Sequence, residues 1–207
     1  MTSSEENIRI YTDEELQIRN RGLQEVKLVL EKVETDCILI FGALLGAYRE
    51  KKFIKWDWDV ELAVFSESFF YKFDILEKEA IKQGFTIEKI NISNNFFKAH
   101  LKKYDNKYTL LGFDLVGKMR RTRLYKVPSK FFETLDSIEF LGEIYKTPSS
   151  IEEYLIYTYG EEWKTPLVHI VGENKEYFSE KTIIKTPFIY KAYNKLKQFV
   201  LPPYFRK

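Results

Sequence analysis

Residues 37–64 read CILIFGALLGAYREKKFIKWDWDVELAV, and the division of this stretch decides the fold. Ile38, Leu39, Ile40 and Phe41 form an apolar run that predicts a buried strand. Gly42 and Gly46 bracket a short turn or helix start, and a basic loop follows with Arg49, Lys51, Lys52 and Lys55. From Trp56 to Leu62 polar and apolar residues alternate. On a strand, side chains alternate faces, so Asp57, Asp59 and Glu61 share one face while Trp58, Val60 and Leu62 share the other. Three carboxylates side by side repel one another and call for a cation. A hard divalent ion takes oxygen ligands and commonly sits with phosphates. An acid-rich strand also serves as an exposed sheet edge, where charge discourages aggregation. The apolar flanks, with two of the three Trp residues inside the stretch, tilt the reading toward a metal–phosphate site.

The run GALLGAYREKKFIKWDWDVEL, residues 42–62, resembles the LicD family, which includes fukutin and fukutin-related protein. Members carry a Gly-x-Leu-Leu-Gly-x-x-Arg turn followed by Ile-Pro-Trp-Asp-x-Asp-x-Asp. A second block, PSSIEEYLIYTYGEEWKTP at 148–166, is similar to the family's later motif of Pro, Tyr-Leu, Tyr-Gly, Trp and Pro. Two blocks in the right order are more specific than either alone. The chain departs from the pattern at Ala43, where many relatives have Thr, Ser or Gly, at Lys55 in place of Pro, and at Glu61 in place of the last Asp.

The resemblance implies an α+β, nucleotidyltransferase-like fold: a mixed β-sheet flanked by helices, with a helical C-terminal part. It implies Mg²⁺ or Mn²⁺ held by Asp59 and Glu61, with Asp57 in support. Donor contacts are expected from Gly42, Ala43, Gly46, Arg49 and Trp56, where helix-start amides and a guanidinium suit phosphate. Trp56 or Trp58 either stacks on a base or belongs to the core. The family places a third acid on a strand in an apolar-Asp-apolar context, which Phe113-Asp114-Leu115 matches. Asp114 is therefore the expected third catalytic acid and acceptor base, alongside Asp59 and Glu61. Its alternative is an ion pair with Lys118 or Arg120.

At 207 residues, with 44% hydrophobic and 16% aromatic content, the chain suffices for one globular domain. A net charge of +2 gives no support for a nucleic-acid partner. The single cysteine, Cys37, excludes an internal disulfide and a cysteine-rich zinc cluster, and it reads as a core residue. Neither a signal peptide nor an apolar run of membrane-spanning length is visible, which makes the cytoplasm the expected compartment.

Residues 1–11 read as a polar lead-in. Thr12-Asp13-Glu14-Glu15 has capping-box spacing, and Leu16, Leu23, Val26, Leu30 and Val33 continue at helical spacing. Ser66 to Gln83 predicts a second helix closed by Gly84. Strands are expected over 85–92, 96–103 and 108–116, the last two joined by Tyr104-Asp105-Asn106-Lys107. Lys98, His100 and Lys102 share one strand face, with His100 either touching substrate or structural; His169 carries less weight. The basic run Lys118–Lys126 either clasps phosphate or is a solvated loop. A short helix and a strand pair around Gly142 precede a helix capped by Ser149 or Ser150 and stopped by Gly160. Residues 188–207 form a basic amphipathic tail that either packs on the core or meets an anionic membrane at its inner face.

The leading functional expectation is a metal-dependent transferase moving phosphocholine or an alditol phosphate from a CDP-linked donor to a saccharide or lipid-linked glycan, as in lipopolysaccharide or teichoic acid biosynthesis. The alternatives are an NTP-dependent nucleotidyltransferase and a non-catalytic binding module of the same fold.

Overall fold

The computed structural model describes residues 9–92, 97–166 and 178–184; residues 1–8, His169 and the 188–207 tail lie outside the described residues. Helix α1 (Asp13–Lys32) opens with the capping box, Thr12 Oγ1 accepting from the Glu15 amide and Glu15 accepting from the Thr12 amide. Its buried face carries Leu16, Leu23, Val26, Val29 and Leu30. Strand β1 (Ile38–Leu39) leads into a short helix α2 (Phe41–Leu45), which continues as a π-helical turn over Gly46–Glu50. The acidic stretch becomes β2 (Val60–Phe65) only from Val60 onward.

The helix expected over Ser66–Gln83 is broken into α3 (Ser66–Phe69), a 3₁₀ turn at Phe70–Lys72 and α4 (Phe73–Lys82). Gly84, at φ 81°, ends it. Then come β3 (Thr86–Ile92), β4 (Phe97–Lys103) and β5 (Asn106–Val116). The β4–β5 turn is shorter than expected. Tyr104 and Asp105, at φ 55° and 56°, make the two-residue turn whose twist matches a hairpin.

Two short strands, β6 (Met119–Arg121) and β7 (Lys126–Pro128), extend from β5. Strands β8 (Leu135–Phe140) and β9 (Glu143–Pro148) turn at Leu141-Gly142, and α5 (Ile151–Tyr159) ends at Gly160 with φ 90°. Ser150 begins α5 without a side-chain cap; its amide instead donates to Asp136 Oδ2 at 2.9 Å. The mixed sheet runs β3-β4-β5-β2-β1-β9-β8, with β2–β5 and β1–β9 parallel. With its flanking helices this is the expected α+β architecture. Among the described residues no helix is long and apolar enough to cross a membrane.

Register divides the sheet into two working faces. Val60, Leu62, Tyr108 and Leu110 alternate with Glu61, Thr109 and Leu111 along the paired strands β2 and β5. The Tyr108 face packs under α1, where the Tyr108 hydroxyl donates to the Arg19 carbonyl at 2.9 Å. Gly22 makes this approach possible: a Cβ there would stand 2.0 Å from the Tyr108 hydroxyl oxygen. The opposite face is aromatic toward the C-terminal ends of β2 and β5, through Phe65, Phe113, Phe132 and Phe41, and polar at Glu61 and Thr109.

Gly22→Ala is therefore expected to destabilise the protein by about 1–3 kcal/mol through overpacking, although Ala favours a helix over Gly by roughly 1 kcal/mol. Urea denaturation checks this; a variant more stable than wild type would mean that the Tyr108 ring yields freely.

Candidate active site

Asp57 and Asp59 lie in the loop before β2, and Glu61 alone of the three is a strand residue. The even alternation expected from Trp56 to Leu62 is corrected for a local reason. The Asp57 carboxylate accepts hydrogen bonds from the backbone amides of Trp58 and Asp59. An Asp that caps its own following backbone competes with strand pairing. Trp58, expected on the buried side, is instead 57% exposed, while Val60 and Leu62 are fully buried.

Helix α1 holds this loop. The Tyr11 amide donates to the Lys55 carbonyl at 2.7 Å, Lys55 pairs with Asp13 at 2.8 Å, and buried Arg19 donates through Nη1 to the Asp57 carbonyl at 2.7 Å. Arg19 Nε also donates to Asn106 Oδ1 at 2.9 Å, at the first residue of β5. Both sides of the site thus hang on one guanidinium, which sequence patterning passes over because an arginine in a helix usually reads as solvated.

The register then builds a polar row across four strands. Glu88 on β3 faces His100 on β4, His100 faces Thr109 on β5, and Thr109 faces Glu61 on β2. Thr109 Oγ1 donates to Asp59 Oδ2 at 2.7 Å, and His100 Nδ1 lies 2.9 Å from the same hydroxyl oxygen. With the hydroxyl proton directed at the carboxylate, His100 must donate from Nδ1, so its Nε2 is an acceptor. Burial, reinforced by Lys107 and Lys98, lowers the His100 pKa to about 4 and keeps the ring neutral. Lys107 Nζ stands 3.5 Å from Asp59 Oδ2 and 3.0 Å from the Trp58 ring centre. Its own pKa is lowered, chiefly by burial.

Burial dominates the acids too. Asp57 is raised to about 7 by desolvation, then by the Asp59 charge. Glu61 is raised well above the usual range by desolvation and by both aspartates, against the pull of Lys98 and Lys107. Over them lies an aromatic cover that sequence reasoning missed. Tyr159 stacks on Phe178 with ring centres 5.3 Å apart, and Phe178 and Phe41 both pack on Tyr125. The Tyr159 and Tyr125 hydroxyls are held protonated by burial and by the nearby acids, Glu61 first among them. The Tyr-Gly of the second block was the available signal for Tyr159.

The expected donor contacts have other work. A Cβ on Gly42 would come 2.1 Å from Asp57 Oδ2, so the Asp57 carboxylate fills the space beside that glycine. Ala43 is buried in the core. A Cβ on Gly46 would meet the Lys52 carbonyl at 2.7 Å, so this glycine admits the returning loop. Arg49 donates to the Trp163 carbonyl at 3.0 Å and to Glu50 at 2.6 Å, joining the two sequence blocks instead of facing the acids. Trp56 is half-buried against the core.

Asp114 is not brought to the cluster. It lies five residues beyond Thr109, about 16 Å along β5 at ~3.3 Å per residue, and alternation turns it to the other face. Its pKa is raised by burial, and its neighbours are Ser66, Glu67 and Arg120. Arg120 itself pairs with Glu67 and donates to the Phe113 carbonyl at 3.3 Å.

Among the described residues no group of three or more His, Cys, Asp or Glu side chains is arranged to hold a metal ion. A magnesium ion that arrives with phosphates needs only one or two protein carboxylates. Asp59, with one oxygen already bonded to Thr109, and Glu61 fit that smaller demand, and the crowding of the three acids favours a cation beside them.

The raised carboxyls set a direction for stability against pH. A folded-state pKa above the unfolded value of about 3.9 means that the native state holds the proton longer. Stability is undiminished below about pH 4 and falls as pH rises toward 7. In metal-free buffer, Asp57→Asn should gain melting temperature relative to wild type across that interval, with the gap closing at low pH. A constant offset between the two proteins from pH 4 to 7 would contradict the raised Asp57.

A comparison with curated proteins finds no match. The family model described as LicD/FKTN/FKRP, nucleotidyltransferase domain, matches residues 34–150, more than half of the 207-residue chain and the part that carries the acid loop, His100, Lys107 and Thr109. At the level of that family the role is that of a transferase. The acid loop before β2, the Arg49 link to Trp163 and the matched span agree: the chain belongs to the LicD/FKTN/FKRP nucleotidyltransferase-domain family.

Proposed function

We propose that the protein transfers a phosphorylated alcohol from a CDP-linked donor to a saccharide acceptor of a cell-surface or lipid-linked glycan, with Mg²⁺ or Mn²⁺ bound alongside the donor. The observation that carries this reading is the meeting of Asp57, Asp59 and Glu61 near Tyr159, because it brings both family blocks to one acidic cluster. The ion would supply charge neutralisation on the donor phosphates. Asp59 and Glu61 would hold it, with Thr109 and Arg19 fixing the loop on which Asp59 sits. Asp57, next to Asp59 and packed against Gly42, would support the ion directly or through water, and the position of Asp114 leaves it far from the acceptor.

The substrate class is tested by thermal shift with Mg²⁺ and, separately, CDP-choline, CDP-ribitol, CDP-glycerol, ATP and CTP. A ligand of the folded state raises the midpoint by mass action. A rise with a CDP-alcohol supports the reading; a rise with ATP or CTP alone would replace it with nucleotidyl transfer, and no rise at all with a binding module of another kind.

Asp59→Asn should lower turnover by about a hundredfold or more, the scale of losing one preorganised electrostatic group, with the circular dichroism spectrum unchanged. Chelation with EDTA should do the same to wild type. Asp114→Asn, far from the acids, should keep turnover within about twofold of wild type, whereas a base would lose orders of magnitude. Product assays by mass spectrometry on the three proteins decide among these outcomes.

A further inference from the structure

The acids are only part of the charge at this end of the sheet. The face that carries Glu61 and Thr109 also carries Lys107 on β5 and Lys98 on β4, which straddle the Thr109–His100 pair from opposite ends. Lys107 is 15% exposed, its stem withdrawn from solvent and its ammonium seated against the Trp58 ring at 3.0 Å. Its approach to Asp59, 3.5 Å to Oδ2, is a charge contact longer than a close N–H···O bond. That oxygen already accepts the Thr109 hydroxyl at 2.7 Å. Lys98 is half-buried and near enough to Glu61 to act on it as the leading positive charge. Lys102, the neighbouring lysine on the same face, is spoken for by Glu88 at 2.5 Å and is 48% exposed.

Two withdrawn ammonium groups flanking crowded carboxylates would be poor design for either sign of ligand alone. Carboxylates call for a cation and lysines for an anion, and one species answers both: a diphosphate carrying a divalent ion. Two of the expected phosphate contacts are engaged otherwise, since Asp57 fills the space at Gly42 and Arg49 is committed to Glu50 and Trp163. His100 adds no charge here at neutral pH, because burial keeps its ring neutral.

We propose that Lys98 and Lys107 form a diphosphate subsite beside the acid cluster, with Trp58 as the ring that holds the Lys107 ammonium in place. The proposal rests on the transferase reading for its place in the reaction, but not for its chemistry, which concerns inorganic diphosphate equally.

The experiment is calorimetric titration of Mg²⁺–pyrophosphate into the full chain and into Lys98→Ala, Lys107→Ala and Lys102→Ala. Charge-assisted hydrogen bonds are worth enough that each of the first two variants should weaken binding by roughly tenfold or more, while Lys102→Ala stays within about twofold. Should Lys107→Ala lose its fold by circular dichroism, Lys107→Met keeps the stem on Trp58 and removes only the charge. Equal affinity for wild type and both subsite variants would overturn the proposal, as would absence of pyrophosphate binding by wild type. In that case the lysines serve only as fixed countercharges to the acids. A parallel titration with CDP-ribitol and CDP-choline separates the two claims. Pyrophosphate binding without CDP-alcohol binding upholds the subsite and removes the CDP donor. CDP-alcohol binding that is indifferent to Lys98 and Lys107 upholds the donor and removes the subsite.

Discussion

Arg19 lies 1% exposed in a helix face otherwise made of Leu16, Leu23 and Val26, and its guanidinium reaches past that face to the Asp57 carbonyl and the Asn106 side chain. Burying a guanidinium is costly unless its donors are met. Two are met by polar partners, and the Tyr11 ring covers the cation at 4.1 Å. The return on that cost is positional. The Asp57 carbonyl belongs to the acid loop and Asn106 opens β5, so one rigid planar group sets the spacing between the strand that brings Glu61 and the strand that brings Thr109. Replacing it with a flexible lysine would keep the charge and lose the fork that spans both.

Electrostatic tension is the second organising feature. Asp57 and Glu61 are pushed up by burial before any neighbour acts, and each neighbouring acid pushes further. Lys98 and Lys107 oppose this without cancelling it. A site of this kind, with carboxylates and ammonium groups side by side, suits a ligand of mixed charge. The aromatic cover of Tyr125, Tyr159 and Phe178 sharpens the effect by excluding water and lowering the local dielectric.

How much of this was legible depended on how local the governing interaction is. The capping box at Thr12, the turn glycines at 142 and 160 and the apolar stripe of α1 each depend on residues a few positions apart, and all are where spacing predicts. The mixed sheet followed from the family resemblance. Failures came where distant chain segments decide. Whether Asp114 or Thr109 stands level with Glu61 is a question of parallel register, which no alternation within either strand reveals. Arg49 reads as a phosphate ligand until the Trp163 carbonyl, far along the chain, is found to occupy it. Asp57 was misplaced by a nearer cause: its carboxylate binds the two following amides, and alternation of residue types is blind to that.

The parallel pairing of β2 with β5 also bears on the order in which the protein folds. Glu61 meets Thr109 across 48 residues, the difference of their positions, and the β1–β2 pair alone offers only two antiparallel partners. During synthesis β2 is complete while its neighbour, and the lysines that temper its acids, are still unmade. Non-local pairing of this kind pays its loop-closure entropy before any contact rewards it. Until β4 and β5 are made and add as a hairpin, one edge of β2 lacks its neighbour, and the charge of Glu61 and of the acids just before it discourages that edge from joining another nascent chain.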